Sequence, residues 1–484
     1  MKTSLKTGAL SLLAVASTGA TFAAAKSNPK KEAKRPNIIF ILSDDGGYAD
    51  FGFQGSKQFE TPNLDAMAKK GVIFEQIYTT DAVSGPSRAG LMTGRYQQRF
   101  GIEENGISRK LMSDSSKFLD DDMGVPTTEK FVSNYLSDAG YKCAIFGKWH
   151  LGGADRFHPL NRGYDHFIGF RSGSRSYYAY PDEKIHDETF DHTQKLEYGM
   201  GTFKEPEVYM TDLLADEACN YVKENKKNPF FIYLSFNAVH SPLQIDKQDA
   251  ALFKNIKDPS RRKLAAMAFS MDRALGRLFE TLKKEGVDKN TIIVFSNDNG
   301  GPNGTHTSNY PLSGMKGTFL EGGVRVPGFM VYPGVIKPDI RYEYPVSFLD
   351  FLPTFADVAG AEIKEDADLD GVNIIPYING ENKERPHQTL YWHCDTRGAL
   401  RDGDWKFMRF ADRPAELYDI SKDEGEQNDL ADKHPELVKK YYKMLFDWEM
   451  TLERPMWMLD RFCEKRVMNT FYEQEEYRHP VEQK

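Results

Sequence analysis

Short apolar runs alternate with longer amphipathic segments along the chain up to about residue 380. Five of these runs are typical of strands buried on both faces: PNIIFIL, VIFEQIY, YKCAIFG, PFFIYLSF and NTIIVFS. Apolar spacing predicts helices between them, in TPNLDAMAKKG, TTEKFVSNYLSDAG, TDLLADEACNYVKENKK and from about residue 261 to 285. The alternation predicts an α/β fold with a large mixed, mostly parallel sheet flanked by helices.

Local signals mark the ends of several predicted helices. Thr61 is expected to cap the first helix and Gly71 to end it, and the TTEK segment is expected to open a later helix with a capping box. SRAGLMTG predicts a short helix that stops at Gly94, which places Ser84 at its N-terminus.

Beyond about residue 380 the pattern changes to short β-like runs separated by Gly and Asp turns, and then to the amphipathic segment HPELVKKYYKMLFDWEM. This pattern predicts a smaller C-terminal α+β subdomain. We therefore expect a large N-terminal domain over residues 26–380 and the subdomain over residues 381–484.

The first 25 residues have the features of an export signal. Lys2 and Lys6 precede the apolar segment GALSLLAVA, which is too short to span a bilayer, and residues 23–25 offer an Ala-x-Ala cleavage site. We therefore expect residues 1–25 to be a bacterial signal peptide and the mature protein to be periplasmic or secreted; the alternative is a disordered apolar tail. No later run reaches transmembrane length, so no membrane span is expected.

Composition limits the classes of partner. The chain has 484 residues, of which 40% are hydrophobic and 28% charged, as is typical of a globular protein. Its net charge of -8 gives no general attraction to nucleic acid, although it is compatible with a local basic pocket for an anionic substrate. The cysteines are scattered without a Cys-x-x-Cys spacing, so no zinc or redox centre is predicted.

Polar side chains follow four of the predicted strands. These residues are Asp44, Asp45, Lys148, His150, His240, Asp298 and Asn299. Because the carboxyl ends of parallel strands meet at one edge of a sheet, a shared site is expected there. The three carboxylates and the amide form an all-oxygen set that suits Ca²⁺ or Mg²⁺. Taken singly, the Asp pair could cap a turn and the histidines could belong to the core.

Ser84 lies where a helix N-terminus favours anions, through its dipole and free N–H groups. Arg88 lies one turn into the same helix and can donate two hydrogen bonds to an oxyanion. A capped helix after a loop would explain the serines, the glycine and the proline of this stretch, but not Arg88 and Arg95 together.

Two motifs carry a resemblance to a known family. The first is Ser84-Gly85-Pro86-Ser87-Arg88, followed by Leu91 and Gly94-Arg95, and the second is GYKCAIFGKWHLG over residues 140–152. The chain resembles the serine-type, formylglycine-dependent sulfatases of the alkaline phosphatase superfamily, in their carbohydrate sulfatase branch. Cys143 departs from the second motif, where Ser or Thr is more common, at a strand position away from the chemistry.

The resemblance implies a cofactor, a maturation partner and a set of roles. Ser84 would be converted to Cα-formylglycine by a radical iron–sulfur maturase before export. Residue 84, Asp44, Asp45, Asp298 and Asn299 would bind Ca²⁺. Arg88 would hold the formylglycine hydrate, Lys148 and Lys316 would hold sulfate oxygens, His240 would protonate the leaving oxygen, and His150 would orient the hydrate or assist sulfate elimination.

The substrate prediction depends on one polar, aromatic segment, FRSGSRSYYAYPDEKIHDETFDHTQ. Its candidate substrate-binding residues are Arg171, Arg175, Tyr177, His186 and His192. A solvated surface loop is the alternative. The predicted partner is a sulfated oligosaccharide or polysaccharide, with galactose or N-acetylgalactosamine units of an algal galactan or glycosaminoglycan preferred. A phosphoric ester or phosphonate hydrolase on the same scaffold and an inactive glycan-binding relative are the competing interpretations.

Overall fold

The apolar runs form strands, as their pattern predicts. The computed structural model describes residues 35–106, 122–187, 190–249, 251–302, 304–458 and 478–480, so the predicted signal peptide lies outside the described residues. The strands are β1 Asn37–Ser43, β2 Val72–Tyr78, β3 Lys142–Lys148, β4 His166–Phe170, β5 Glu197–Tyr198, β6 Phe230–Ser235, β7 Thr291–Asn297, β8 Arg325–Val331, β9 Ile340–Tyr342, β10 Val346–Ser347, β11 Thr389–Cys394, β12 Arg397–Asp402, β13 Trp405–Arg409 and β14 Glu416–Asp419.

Of the α-helices in the described ranges, six lie where the sequence predicts them and the other four were not predicted. The helices are α1 Pro62–Ala68, α2 Ser84–Thr93, α3 Val132–Asp138, α4 Asp182–Ile185, α5 Met210–Asn225, α6 Pro259–Lys284, α7 Glu321–Val324, α8 Phe351–Ala359, α9 Ile375–Ile378 and α10 Pro435–Glu449. No helix in the described ranges is long and apolar enough to cross a membrane.

Two predicted helix ends were wrong. Helix α1 ends at Ala68, before Gly71. Thr61 occupies the predicted N-cap position, but its hydroxyl bonds to Asp65 and to the N–H of Gly52 and makes no capping bond. Helix α3 begins after Phe131, whose N–H donates to the Asn134 side chain, so the TTEK segment stays outside it. At the start of each of these two helices, a tertiary or local polar contact replaces the expected capping bond.

A mixed, mostly parallel sheet forms the centre of the protein. Within the described ranges, its strand order is β10-β2-β8-β7-β1-β6-β3-β4-β5, with β9 paired to β2. Only the pairs β2–β8, β7–β8 and β4–β5 are antiparallel there. The predicted α/β fold class is therefore confirmed. Ile39 and Ile41 of β1 join the core with α5 and α6, whereas Phe40 joins the core with α2, α3 and α8 on the other face. This explains why β1 is apolar at consecutive positions.

The strand register brings the polar strand ends to one level. In the central strands, Leu42 pairs with Ser235 and Ser296, and Ser43 pairs with Asn297. Ser235 also pairs with Gly147 of β3. One edge of the sheet therefore carries the residues that follow β1, β6 and β7, together with those that end β3.

The C-terminal part contains the predicted smaller α+β subdomain. Strands β11 to β14 form an antiparallel sheet in sequence order, and α10 packs against β12 and β13. This sheet is joined to the large one by buried polar contacts. The Trp392 indole N–H donates to the carbonyl of Thr79 at 2.8 Å, and Lys406 pairs with Glu321 at 2.7 Å. The boundary at residue 381 stays a prediction.

Candidate active site

Ser84 is the first residue of α2 and faces the residues that follow β1 and β7. Its hydroxyl oxygen lies 3.0 Å from Oδ1 of Asn299 and 3.5 Å from Oδ1 of Asp44. The side chain is 1% exposed. The Asn299 amide nitrogen donates to Oδ1 of Asp45 at 2.7 Å, which turns the amide oxygen toward Ser84.

Three cations balance the three carboxylates of this buried group. Lys148 Nζ lies 2.7 Å from Asp44 Oδ2, and Lys316 Nζ lies 2.6 Å from Asp45 Oδ1. In the third pair, Arg88 donates from Nε and Nη2 to Asp298 Oδ2 at 3.0 and 2.9 Å. Burial of so many like charges requires this compensation, because an unpaired ion is costly in a low dielectric.

Charge and burial set the protonation of the group. Burial favours the neutral form of Asp298, but the charges of Arg88 and Lys148 outweigh it and lower the pKa of this carboxyl. Burial also opposes ionisation of Asp45, but the charge of Lys316 outweighs it and lowers the pKa of this carboxyl. Burial and the charge of Asp298 raise the pKa of Asp44, and burial lowers that of Lys148. Neighbouring positive charge therefore favours the ionised forms of Asp298 and Asp45, whereas burial opposes those of Asp44 and Lys148.

The donor set fits a hard divalent cation. Three carboxylates and an amide oxygen face one another around Ser84, and oxygen ligands of this kind suit Ca²⁺. His240, predicted as part of this site, lies close to two of the carboxylates: Asp44, Asp45 and His240 offer ligand atoms that all lie within 4.8 Å of one another. The Nε2 atom of His240 is 3.4 Å from Asp45 Oδ2, so this histidine lies beside the oxygen set.

His240 and His150 have different environments. His240 is partly exposed, and its Nδ1 lies 2.6 Å from the carbonyl oxygen of Ser241. His150 is enclosed against Gly173, where a Cβ atom would lie 2.7 Å from the ring Nε2. Burial and the charges of Lys148 and Arg88 hold the pKa of His150 well below its usual range, so its ring is neutral. Its Nδ1 atom makes no hydrogen bond within the described ranges.

A cavity of about 530 Å³ adjoins this group. Its lining includes Gly85, His150, Gly153, Gly173 and Thr193, together with two of the five residues predicted to bind substrate, Arg171 and His192. The Arg171 guanidinium is bound to Glu197 and Asp155, so its remaining capacity for a ligand is small. The cavity is large enough for part of an oligosaccharide.

The other three residues predicted to bind substrate lie elsewhere. Arg175 is buried and donates to Glu205, and His186 is exposed with its Nδ1 atom near the carbonyl of Asp182. Tyr177 is fully buried in the core that contains α5 and α6. None of these three lines the cavity in the described part of the chain. Their role in substrate binding stays a prediction.

Sequence reasoning missed residues that support the site. The side chain of Asn105 accepts from the N–H of Gly85 at 2.7 Å, and Ser235 bonds to Arg88. Arg397 of β12 donates to the carbonyl of Gly317 at 2.7 Å, next to Lys316. Ser235 had a signal, because it ends a buried strand in register with Ser43, but Asn105 and Arg397 had none.

Comparison with known proteins shows which family the chain belongs to. The family model "Sulfatase" matches residues 36–361, and "N-sulphoglucosamine sulphohydrolase, C-terminal" matches residues 315–451. A sulfatase from Formosa agariphila is 30% identical over 525 residues, covering 91% of this chain and 94% of that protein. The N-acetylgalactosamine-6-sulfatase of Mus musculus is 30% identical over 411 residues, covering 83% of this chain and 76% of that protein.

Solved structures extend the likeness to the whole fold. The structure of Ps i-CgsB in complex with k-i-k-neocarrahexaose is 36% identical, with a TM-score of 0.81, and covers 93% of this chain and 100% of that chain. The phosphonate monoester hydrolase of Agrobacterium radiobacter, 19% identical with a TM-score of 0.62, covers 85% of this chain and 95% of that chain and shares the fold. The chain belongs to the sulfatase family and is a sulfuric ester hydrolase.

Proposed function

We propose that this protein is an exported carbohydrate sulfatase that uses a formylglycine made from Ser84, together with Ca²⁺, to release sulfate from a sulfated galactose or N-acetylgalactosamine unit. One observation carries the proposal: the buried Ser84 hydroxyl faces Asn299 and Asp44, inside a ring of three carboxylates and three cations. This arrangement suits a nucleophile that attacks an anionic ester.

The proposed cofactors would be bound by residues already in contact. Asp44, Asp45, Asp298 and Asn299 would hold Ca²⁺ beside residue 84. Bound Ca²⁺ would polarise the sulfate, and the hydrated aldehyde of formylglycine would supply the attacking hydroxyl. A radical iron–sulfur maturase is the proposed converting partner, because the encoded residue is serine.

The chain's own side chains would divide the remaining tasks. Arg88, locked between Asp298 and Ser235, keeps a fixed positive charge next to residue 84. Lys148 and Lys316 bring two more positive charges, which stabilise the negative charge that builds on the sulfate oxygens. His240 would protonate the leaving oxygen, and the neutral His150 would accept a proton near residue 84.

The relatives favour the substrate class. The protein Ps i-CgsB, 36% identical to this chain, was crystallised with k-i-k-neocarrahexaose. The N-acetylgalactosamine-6-sulfatase of Mus musculus is 30% identical. The cavity beside His150 gives room for such a sugar chain. We therefore propose a galactan or glycosaminoglycan as the sulfated partner, in the periplasm or outside the cell.

The test is sulfate release by purified protein from a panel of carrageenan and chondroitin sulfate oligosaccharides, with phosphate and phosphonate monoesters assayed in parallel. Mass spectrometry of the peptide that contains residue 84 reports its conversion. We expect the converted protein to release sulfate from at least one galactose-type member, and Ser84→Ala to release none while keeping the wild-type melting temperature. Faster turnover of the phosphorus esters, or sulfated-glycan binding without release by converted protein, would contradict the proposal.

A further inference from the structure

We propose that Tyr177 is a positioning residue for His240, because its hydroxyl holds the backbone of the turn that carries this histidine. The inference rests on the proposed function, in which His240 is the acid for the leaving group. The Tyr177 hydroxyl bonds to backbone carbonyls, so its proposed action on the reaction is through the turn.

The contact involves both ends of the turn 237–240. The Tyr177 hydroxyl donates to the carbonyl of Asn237 and lies 2.9 Å from the carbonyl of His240. The N–H of His240 also donates to the carbonyl of Asn237 at 2.9 Å, so the turn is closed on itself at the point where the phenol is attached. Moving the hydroxyl would therefore move the backbone atoms that set the direction of the His240 side chain.

Tyr177 is itself rigidly held. It is 0% exposed, and its ring stacks on Tyr209 with centroids 5.4 Å apart and an interplanar angle of 15°. Its N–H donates to Oε1 of Gln244 at 2.8 Å, and its carbonyl accepts from the N–H of Met210 at 2.9 Å. Burial raises the pKa of Tyr177 well above its usual range, so the hydroxyl stays a donor.

Few other contacts fix the His240 side chain. Its Nδ1 atom bonds to the carbonyl of the next residue, Ser241, and its Nε2 atom lies 3.4 Å from Asp45. The side-chain amide of Asn237 is buried, yet makes no hydrogen bond within the described part of the chain, so it does not anchor the turn.

The turn is also held in its middle, where the N–H of Asp44 donates to the carbonyl of Ala238 and the N–H of Val239 donates to that of Asp44, both at 2.8 Å. Tyr177 bonds to the two ends of the turn and is the contact made at the carbonyl of His240 itself.

Two other tyrosines that bond to the chain after this turn offer matched controls. Tyr209 donates to the carbonyl of Gln244 at 2.8 Å, and Tyr178 donates to that of Ile245 at 2.8 Å. Both hydroxyls bind the loop beyond the turn, four or more residues after His240. If Tyr177 only stabilised the loop, removing either of these hydroxyls would have an effect similar to removing its own.

The experiment compares Tyr177→Phe with Tyr209→Phe in the converted, full-length enzyme. On the sulfated sugar, Tyr177→Phe should lower kcat about 10- to 100-fold with KM within about twofold, as expected for a misplaced general acid. On 4-nitrophenyl sulfate, whose leaving group needs little protonation, kcat should fall less than about threefold. Tyr209→Phe should change either kcat by less than about threefold. For each variant, the ratio of kcat on the sugar to kcat on 4-nitrophenyl sulfate, measured in one preparation, does not depend on the fraction of folded enzyme.

A double-mutant cycle with His240→Ala needs only the sugar substrate. If Tyr177 acts through His240, adding Tyr177→Phe to His240→Ala should lower kcat no further. Three results would overturn the inference. In the double mutant, Tyr177→Phe could lower kcat as much as it does in the wild-type background. Tyr177→Phe alone could lower kcat equally on the sugar and on 4-nitrophenyl sulfate, or leave kcat at the wild-type value. These results all presuppose an active wild type; a wild type that releases no sulfate would instead overturn the proposed function.

Discussion

Replacing Gly173 with alanine tests whether the ring of His150 must keep its position. A Cβ atom at residue 173 would lie 2.7 Å from Nε2 and 2.9 Å from Cε1 of His150. To reach an ordinary contact of about 3.4 Å, the imidazole would have to shift by about 0.7 Å. Gly173 has no positive φ and lies in a half-buried loop, so alanine adds no backbone strain there.

The magnitude follows from that displacement. A misplacement of about 1 Å in a catalytic group can cost about 100-fold in rate, which equals about 2.7 kcal/mol of transition-state stabilisation. We therefore expect Gly173→Ala to lower kcat for sulfate release by roughly 10- to 100-fold. The melting temperature should stay within about 2 °C of the wild type, because a loop contact and no core contact is changed.

The assay is steady-state sulfate release, measured by ion chromatography, alongside thermal unfolding of the same preparations. Gly153→Ala is the matched control: Gly153 lines the same cavity, and its added methyl would meet only the Cγ2 methyl of Thr193, at 3.0 Å. It should keep kcat within about threefold of the wild type. A wild-type kcat for Gly173→Ala, or the same loss when the change is added to His150→Ala, would refute this reasoning.

Two further predictions concern stability. His393 lies between Glu103 and Glu449, 3.2 and 2.8 Å away; burial opposes its protonation, but the two hydrogen bonds outweigh it and raise the pKa of His393 to about 9. Since this pKa is above that of the unfolded chain, up to about 3 kcal/mol of stability should be present below pH ~6.5 and lost as pH rises to ~9. Urea unfolding at pH 6 and 9.5 measures it, and His393→Gln should show less of this loss; an equal loss would contradict it. Ca²⁺ added after chelation at 100 times its Kd should increase the free energy of unfolding of the wild type by about 2.7 kcal/mol, which is measured as a higher melting temperature. Asp45→Asn should show no such increase, and equal responses would argue against the proposed ligand set.

The sequence was enough to predict the sheet and the edge where polar residues gather. Apolar runs such as that of β1 leave few alternatives to a strand buried on both faces, and parallel pairing then puts Asp44, Lys148 and Asp298 near one another. The fold prediction needed only this pattern. Ser84 is at the N-terminus of α2, as predicted, and the helix ends at the predicted Gly94, which has the left-handed φ of 64°.

Contacts made by loops and by the C-terminal sheet could not be predicted in this way. Tyr177 occurs in a polar, aromatic stretch that suggests a surface, yet its ring packs against Tyr209, which follows it by 32 positions and has no periodic relation to it. Arg397 lies on an antiparallel strand whose pattern shows which face is buried, but not which segment covers it. Such pairings depend on how distant segments close on one another, which no local spacing encodes.

The burial of Ser84 has a consequence for the order of events in the life of this protein. All ten residues of α2 are buried, and Asn299, which bonds to Ser84, comes 215 positions later in the chain. Under the proposed function, an enzyme that oxidises this serine would have to reach it before the later strands are synthesised or docked. A molecule that folded with serine at position 84 would no longer be accessible to that enzyme, so the active fraction would be set during biogenesis by competition between conversion and folding.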